Sequence, residues 1–313
     1  MKKKVLITGA NGFIFSNFVR KALFTKSDYE FVSIDVCSES NALNNIYVNK
    51  GHKMYIGDIA DKHFINIIFQ IEKPDFVING ADKSFMDSLD TAPLIHSNIL
   101  GTQTLIDACV KYNVEKFIQI STDKIFPLDE NDLSATEESP TNPCNLFSAS
   151  KLASELLVRA ANQTHGLKYI ITRSCNNYGP RQNPRNFIPK IVKSVLTNQP
   201  IPIYGQGKQC REWIHVEDNI SAIMLLLQND IVNETFNISS NHEFSNIEVF
   251  HEVCNIMGKG HGLLQFTDGD HDFRYSIDSS KLRKLGWKPN WKFKAGLEYT
   301  IKWYTNNQWW FRG

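Results

Sequence analysis

Five short apolar runs in the first 122 residues each contain or precede a glycine or a polar residue, and this pattern limits the fold more than any other feature. The runs are Val5–Thr8, Phe31–Ile34, Met54–Ile59, Phe76–Ala81 and Phe117–Thr122. Nearly continuous apolar runs of this length are typical of parallel strands that are covered on both faces. Because helix-length segments separate them, the sequence predicts an α/β fold with a doubly wound parallel sheet.

A glycine-rich turn follows the first run and leads into a helix that we expect to begin near position 13. Glycine lets the backbone approach a pyrophosphate closely, and the N-terminus of a helix favours its negative charge. The third small residue that usually completes such a turn is replaced by Phe15. The turn predicts a Rossmann-type dinucleotide site, with these candidate contacts: Gly9, Asn11, Gly12, Phe13 and Ile14.

Further cofactor contacts are expected where the next strands end. Asp35 follows the second run and could bind the ribose hydroxyls, which favours NAD because a carboxylate would repel the 2′-phosphate of NADP. Ser38 and Ser40 are small donors nearby, so NADP stays open. Asp58 with Ile59 is expected to meet the adenine, and Gly80 with Ala81 should allow close approach of the cofactor.

Composition excludes several classes of protein. The chain has 313 residues, 42% of them hydrophobic, and a net charge of +1, whereas nucleic-acid and membrane-surface proteins need a sustained basic face. We find no run of about 18 apolar residues, and Val5–Thr8 is too short for a signal peptide, so we expect no membrane contact and a cytoplasmic protein. The six cysteines have no metal-ligand spacing, which indicates free thiols and no metal site.

The stretch from Ser121 to Lys151 carries the candidate chemistry. Thr122-Asp123-Lys124 lies at the end of the fifth run, and Phe147 stands four residues before Lys151. This arrangement resembles the extended short-chain dehydrogenase/reductases that act on nucleotide sugars. The resemblance implies a Tyr at position 147 as the base that deprotonates a sugar hydroxyl, but phenylalanine has no ionisable group. Lys151 is then expected to keep only its role of positioning the nicotinamide ribose.

The Asp123-Lys124 pair resembles that of UDP-N-acetylglucosamine 4,6-dehydratases. In that chemistry C4 is oxidised by hydride transfer, water is lost across C5–C6, and the hydride returns to C6. The resemblance implies Lys124 as the base at C5, in its uncharged form, and Asp123 as the acid at the C6 oxygen. Thr122 and Asp123 would relay the C4 hydroxyl proton in place of the missing Tyr.

The second half of the chain resembles dTDP-glucose 4,6-dehydratases from Ile171 onwards, through Thr172–Pro180 and Arg211–Asp218 to Leu285–Pro289. The resemblance implies a cofactor domain over 1–170, with segments that return to it from the second half of the chain. It also implies a smaller C-terminal lobe, mainly 171–313, that binds a nucleotide sugar. A guanidinium such as that of Arg211 suits a diphosphate because it binds oxygens bidentately. The implied substrate contacts are Ser84, Asn177, Asn186, Lys190, Tyr204, Arg211, Asn237 and His271.

Several alternatives remain open at this stage. The first choice is a UDP-N-acetylglucosamine 4,6-dehydratase, and the second is a reductase or C5 epimerase that acts on a 4-keto or 5,6-ene sugar. A catalytically inactive sugar-nucleotide binding protein, marked by Phe15 and Phe147, comes from another class, and an introduced Tyr→Phe change is a further alternative. The family resemblance also implies a homodimer through two helices of each subunit, Ser97–Tyr112 and Ser148–Asn162.

Overall fold

A computed structural model describes residues 2–24, 28–38, 42–45, 52–84, 90–127, 134–268 and 274–312. The chain divides into two compact units. The first unit comprises 1–125, 141–173 and 223–236, and the second comprises 126–140, 174–222 and 237–313. Relative to a single boundary at 170/171, two stretches are exchanged. The stretch 126–140 belongs to the second unit, and the stretch 223–236 belongs to the first.

The strands are β1 Lys3–Thr8, β2 Tyr29–Asp35, β3 His52–Ile56, β4 Phe76–Asn79, β5 Lys116–Thr122, β6 Tyr169–Ser174, β7 Asn176–Tyr178, β8 Ile201–Tyr204, β9 Cys210–His215, β10 Glu234–Ile238, β11 Glu243–Ser245, β12 Leu264–Thr267 and β13 Arg274–Tyr275. The α-helices are α1 Phe13–Phe24, α2 Ala42–Asn45, α3 Lys62–Glu72, α4 Ala92–Ile95, α5 Thr102–Lys111, α6 Leu146–His165, α7 Phe187–Thr197, α8 Val216–Gln228, α9 Asn246–Met257, α10 Ser280–Arg283 and α11 Phe293–Asn306.

The first unit is built on a seven-stranded parallel sheet in the order β10-β6-β5-β4-β1-β2-β3. Strands β1 to β5 overlap the five apolar runs, and the predicted Rossmann-type α/β fold is confirmed. The reversal of strand order around β1 places β2 on one side and β4 on the other, as a doubly wound sheet requires. Side chains of α3, α5 and α6 form a buried apolar core against one face of the sheet. This core fixes the ends of the strands that carry the candidate site.

Two helices predicted from the sequence have different bounds in the structure. The helix predicted over Ser148–Asn162 is α6, which begins earlier because Asn145 and Ser148 form a capping box and which ends at Gly166 in the left-handed conformation. The helix predicted over Ser97–Tyr112 begins already with α4, continues as a π-helical segment, His96–Gly101, and ends with α5. Sequence periodicity did not reveal the π-helical turn.

The second unit contains a four-stranded sheet, with β9 between β11 and β13 and also paired with β7, and a separate parallel pair of β8 and β12. Its core lies among α7, α9 and α11 and is rich in aromatic rings. The aromatic tail of the chain contributes to this unit. Trp310 is buried in a 3₁₀-helix, Gln308–Arg312, and its Nε1 donates to the Gln182 carbonyl at 2.9 Å.

Candidate active site

The candidate cofactor residues of the first unit follow the carboxyl ends of neighbouring strands. Thr8, the last residue of β1, donates from Oγ1 to Asn79 Oδ1 of β4 at 2.7 Å and accepts from the backbone N–H of Ala81 at 3.3 Å. These bonds tie the turn after β1 to the residues after β4. Ligands of open parallel sheets bind at this edge, where the strand order reverses.

The glycine turn fits a dinucleotide. Gly9 has φ +66°, and a Cβ there would lie 2.5 Å from the carbonyl oxygen of Gly80, so only glycine fits. Gly12 is exposed, and a Cβ on it would meet only the Gly9 carbonyl oxygen, at 3.1 Å. The turn thus leaves open space beside the first N–H groups of α1, which begins at Phe13 and continues through Ile14. That combination suits a diphosphate.

Phe15 departs from the small residue expected there, and the structure shows what accommodates it. Its ring is buried, and a Cβ added at Gly80 would lie 2.1 Å from Phe15 Cε2. Gly80 therefore makes room for Phe15, whereas the sequence had assigned that glycine to the cofactor's approach. The departure at position 15 is compensated within this unit and is no sign of a collapsed turn.

Asp35 lies where the ribose contact was expected, and its carboxylate is held firmly. Oδ2 accepts from the backbone N–H of Asn11 at 2.9 Å, and Oδ1 accepts from that of Cys37 at 2.7 Å. Burial raises the pKa of Asp35, while these two hydrogen bonds act in the opposite direction. Each oxygen keeps acceptor capacity for a ribose hydroxyl.

Asp58 and Ile59, the expected adenine contacts, have different surroundings. Asp58 Oδ2 is 2.8 Å from His96 Nε2, and its Oδ1 accepts from the Ala60 backbone at 2.8 Å. Ile59 is buried, and a Cβ at Gly101 would lie 2.5 Å from Ile59 Cδ1. The Ile59 side chain thus packs on the π-helical segment, which leaves Asp58 as the accessible member of the pair.

The candidate catalytic triplet forms a compact turn at the end of β5. Thr122 Oγ1 donates to Asp123 Oδ1 at 3.1 Å and accepts from the Lys124 backbone N–H at 3.3 Å. Asp123 is buried, whereas Thr122 and Lys124 are partly exposed. A 3₁₀ turn, Asp123–Ile125, produces this arrangement because it folds the chain back directly after the strand.

Phe147 and Lys151 lie in the first turns of α6, which packs against β5 and the 3₁₀ turn. Phe147 is partly exposed, and its carbonyl oxygen accepts from Ser150 Oγ at 2.7 Å. Lys151 is buried, and its Nζ lies 3.7 Å from Asp82 Oδ2. Asp82 was not predicted as a site residue, although its place three residues after β4 could have suggested it.

Asn98 joins these elements through its buried amide. Its Oδ1 accepts from the Lys83 backbone at 2.8 Å, and its Nδ2 donates to Ser150 Oγ at 2.9 Å. The network fixes α6, one residue before Lys151, to the segment after β4. No sequence motif identified these partners.

Among the predicted substrate contacts of the second unit, Asn177 is held internally. Its Oδ1 accepts from Asn219 Nδ2 at 2.8 Å, and its Nδ2 donates to Ser174 Oγ and the Cys175 carbonyl. Asn219 is buried, and its Oδ1 has no hydrogen-bond partner among the described residues. No sequence motif indicated Asn219.

Other predicted contacts of this unit have accessible side chains. Asn186 is the N-cap residue of α7 but makes no side-chain cap bond, Lys190 is exposed one turn later, and Tyr204 is 58% exposed. The Arg211 guanidinium lies 5.2 Å from the ring centre of Tyr275. These groups could reach a bound anion or base.

The remaining predicted substrate contacts differ in where they lie and in how far they are buried. Asn237 is fully buried and donates from Nδ2 to the Ala135 carbonyl at 3.0 Å, so its side chain holds the 134–137 segment. Ser84 is exposed in the first unit, after β4. His271 lies outside the described residues.

Residues 5–239 match the family described as "NAD dependent epimerase/dehydratase family". The chain belongs to this family. Its members by that description act with NAD, and the chain is accordingly an enzyme of the short-chain dehydrogenase/reductase type. No three His, Cys, Asp or Glu side chains come together as a metal site in the part of the chain described above. No described helix is both long and apolar enough to cross a bilayer.

Family relatives resemble the whole chain. The low-salt glycan biosynthesis protein Agl12 of Haloferax volcanii is 38% identical over 96% of this chain and 98% of its own. The dTDP-glucose 4,6-dehydratase of Xanthomonas campestris is 35% identical over 98% and 95%. A crystal structure of dTDP-glucose 4,6-dehydratase from Bacillus anthracis with NAD has a TM-score of 0.92 and 32% identity over 98% of each chain. The chain is thus similar to nucleotide-sugar 4,6-dehydratases along its length.

Proposed function

We propose that this protein is an NAD-dependent 4,6-dehydratase of a nucleotide-activated glucose that works without the usual tyrosine. The observation that carries the proposal is the hydrogen bond from Thr122 Oγ1 to Asp123 Oδ1, beside Lys124. It supplies a path for a proton from a sugar hydroxyl to a buried carboxylate. Phe147 cannot take part in that path because it has no acidic proton.

The proton balance closes with these three side chains. NAD, when bound, would supply reversible hydride transfer, from C4 of the sugar and back to C6. Asp123 takes the C4 hydroxyl proton through Thr122 and then gives it to the C6 hydroxyl, which departs as water. Uncharged Lys124 removes the C5 proton and returns it to C5 when the hydride arrives at C6. The sugar therefore loses one water and becomes a 4-keto-6-deoxy sugar, while each residue ends in its starting form.

Two observations bear on the identity of the substrate, and they favour different sugars. Relatives named for dTDP-glucose support a glucosyl nucleotide. The Asp123-Lys124 pair favours UDP-N-acetylglucosamine as the second candidate, since that pair resembles the hexosamine dehydratases. In the second unit, Arg211 and Lys190 would bind the diphosphate and Tyr204 the base.

Mass spectrometry of candidate substrates tests the proposal. We expect dTDP-glucose or UDP-glucose, incubated with the protein and NAD, to become lighter by one water and to take up deuterium at C5 in deuterated water. The same result with UDP-N-acetylglucosamine alone would establish the second candidate. If none of the three changes, the dehydratase proposal is wrong, and turnover of 4-keto or 5,6-ene sugars would then identify a reductase or epimerase.

The same proposal includes a homodimer through α5 and α6. These helices pack together in the first unit. Apolar side chains are exposed on α6 and on the π-helical segment before α5: Leu156 is 57% exposed, and Leu100 is 43% exposed. On α6, Ala149, Leu156 and Ala160 are exposed at helical spacing. Light scattering at micromolar concentration should give twice the chain mass, and Leu156→Arg should give the monomer. A monomeric wild-type protein would contradict the dimer.

A further inference from the structure

Asn11, Asp35 and Cys37 form a hydrogen-bonded cluster, which we call the latch. No sequence motif indicated it. Asn11 belongs to the glycine turn and Cys37 to the segment after β2, yet the two side chains are joined by a hydrogen bond from Asn11 Nδ2 to Cys37 Sγ, at 3.1 Å. Both also donate a backbone N–H to the Asp35 carboxylate, one to each oxygen. The three residues thus close a ring of contacts around a single carboxylate.

Cys37 has a backbone conformation that needs such support. Its φ is +52°, in the left-handed region that residues other than glycine rarely adopt. This conformation turns the chain directly after the Cys37 N–H, which donates to Asp35 Oδ1. Strain of this kind persists where surrounding contacts determine the conformation, and it concentrates at functional sites.

A fourth residue also holds the latch. Asn45 of α2 is buried, and its Nδ2 donates to the Asn11 carbonyl oxygen at 2.9 Å. All hydrogen-bonding groups of Asn11 except its Oδ1 are therefore used to hold neighbouring segments. Asn11 itself is only 5% exposed, so it acts from behind the surface that a ligand would touch.

We propose that Asn11 and Cys37 are positioning residues that orient the Asp35 carboxylate towards the 2′- and 3′-hydroxyls of the adenosine ribose and thereby set the preference for NAD over NADP. A carboxylate held at both oxygens cannot rotate away from a 2′-phosphate, so the repulsion is kept. If the latch is broken, the carboxylate can turn aside, which weakens the diol contact and relaxes the repulsion together. The latch therefore affects the ratio of the NAD and NADP affinities more than it affects either affinity alone.

Binding measurements without sugar nucleotide test the latch independently of the dehydratase proposal. We expect Asn11→Ala and Cys37→Ala each to narrow the ratio of the NADP and NAD dissociation constants about fivefold, the effect of one lost hydrogen bond. Cys37→Ser keeps an acceptor for Asn11 Nδ2 and should restore most of the ratio. Calorimetry gives the dissociation constants, and thermal unfolding confirms that the variants fold.

Alkylation gives a second readout on the unmodified protein. Cys37 and Cys210 are matched thiols, since both are partly exposed and burial raises the pKa of both. Saturating NAD should slow iodoacetamide labelling of Cys37 and leave that of Cys210 unchanged. The proposal is overturned if folded Asn11→Ala and Cys37→Ala proteins keep the wild-type affinity ratio, or lose both cofactors equally, or if NAD leaves Cys37 labelling unchanged.

Discussion

The ring of Phe15 occupies the space that a side chain at Gly80 would need. The two residues come from different strand–helix units of the sheet, yet a Cβ at Gly80 would lie 2.1 Å from Phe15 Cε2. The large side chain of Phe15 in α1 and the lack of a side chain at Gly80 after β4 therefore compensate for each other. The dinucleotide turn keeps its shape because the extra volume of Phe15 is directed away from it.

This complementarity predicts strong coupling between the two positions. Gly80→Ala should lower the free energy of unfolding by about 1–3 kcal/mol because it overpacks the ring. Phe15→Ala should cost about 3–5 kcal/mol through the cavity it leaves. In the double variant the overpacking disappears, so the two costs should not add. Urea denaturation measures all four proteins, and additive costs would show that the residues do not interact.

The tyrosine-free mechanism predicts an unusual set of activities. Asp123→Asn and Lys124→Ala should each reduce kcat by about 10²-fold or more, because each removes a proton-transfer group. Phe147→Tyr should change kcat by less than about threefold, since the path through Thr122 already exists. The measurement is the rate of 4-keto product formation with the accepted substrate. A large gain of activity in Phe147→Tyr, with little effect of Lys124→Ala, would refute this mechanism.

Asn237 should prove structural, in contrast to the substrate contact that the sequence predicted. Its Nδ2 donates to the Ala135 carbonyl, and its backbone N–H donates to Glu137 Oε1 at 2.8 Å. Asn237→Ala should lower the free energy of unfolding by about 1–2 kcal/mol and speed amide hydrogen exchange over 134–139. Glu137→Gln keeps an acceptor oxygen and is the matched control, with little expected effect. Unchanged stability and exchange in Asn237→Ala would contradict this role.

The lowered pKa of Glu72 predicts that the folded protein loses stability in acid. Burial alone would raise the pKa of this carboxyl, but hydrogen bonds from Lys4, Lys53 and Tyr55 outweigh it and lower the pKa to about 2. Because the folded pKa is below the usual value of 4.5, the stabilisation is present above pH 4.5 and is lost as the pH falls towards 2. Glu72→Gln should therefore cost about 2 kcal/mol at pH 7 and much less near pH 2.5.

Denaturant unfolding of both proteins across this pH range gives the difference curve. Glu115→Gln is the control, since it removes only the exposed ion pair with Lys3, which should contribute little. A Glu72→Gln cost that stays constant from pH 7 to 2.5 would show that ionisation of Glu72 does not stabilise the fold.

The sequence predicted the sheet well because each strand carries its own signal. An apolar run ending at Gly9, Asp35 or Thr122 reports a buried strand and the residues at its carboxyl end, without knowledge of its neighbours. The family resemblance added the expected roles of Phe147 and Lys151, which stay predictions. These predictions needed only local sequence and spacing.

Other features depend on pairs of residues that the sequence separates. The fit of Phe15 to Gly80, the bond from Asn11 to Cys37 and the partner of Asn237 arise only when strands and loops meet in the fold. Trp310 carries no local sign that its ring is buried. Motif position indicated Asn237 as a candidate substrate contact, but a motif cannot distinguish a ligand contact from a contact within the protein, and the role of Asn237 stays a prediction.

The π-helical segment His96–Gly101 has a consequence for how this chain can change. A π-helical turn takes up one residue more than an α-helical turn of similar length. Deleting one residue there would restore a regular helix and rotate the positions on one side of the deletion by about 100° relative to those on the other. Asn98 could then no longer face both Lys83 and Ser150. Point substitutions on the exposed side of this segment should be tolerated, whereas single-residue deletions should not appear among functional variants.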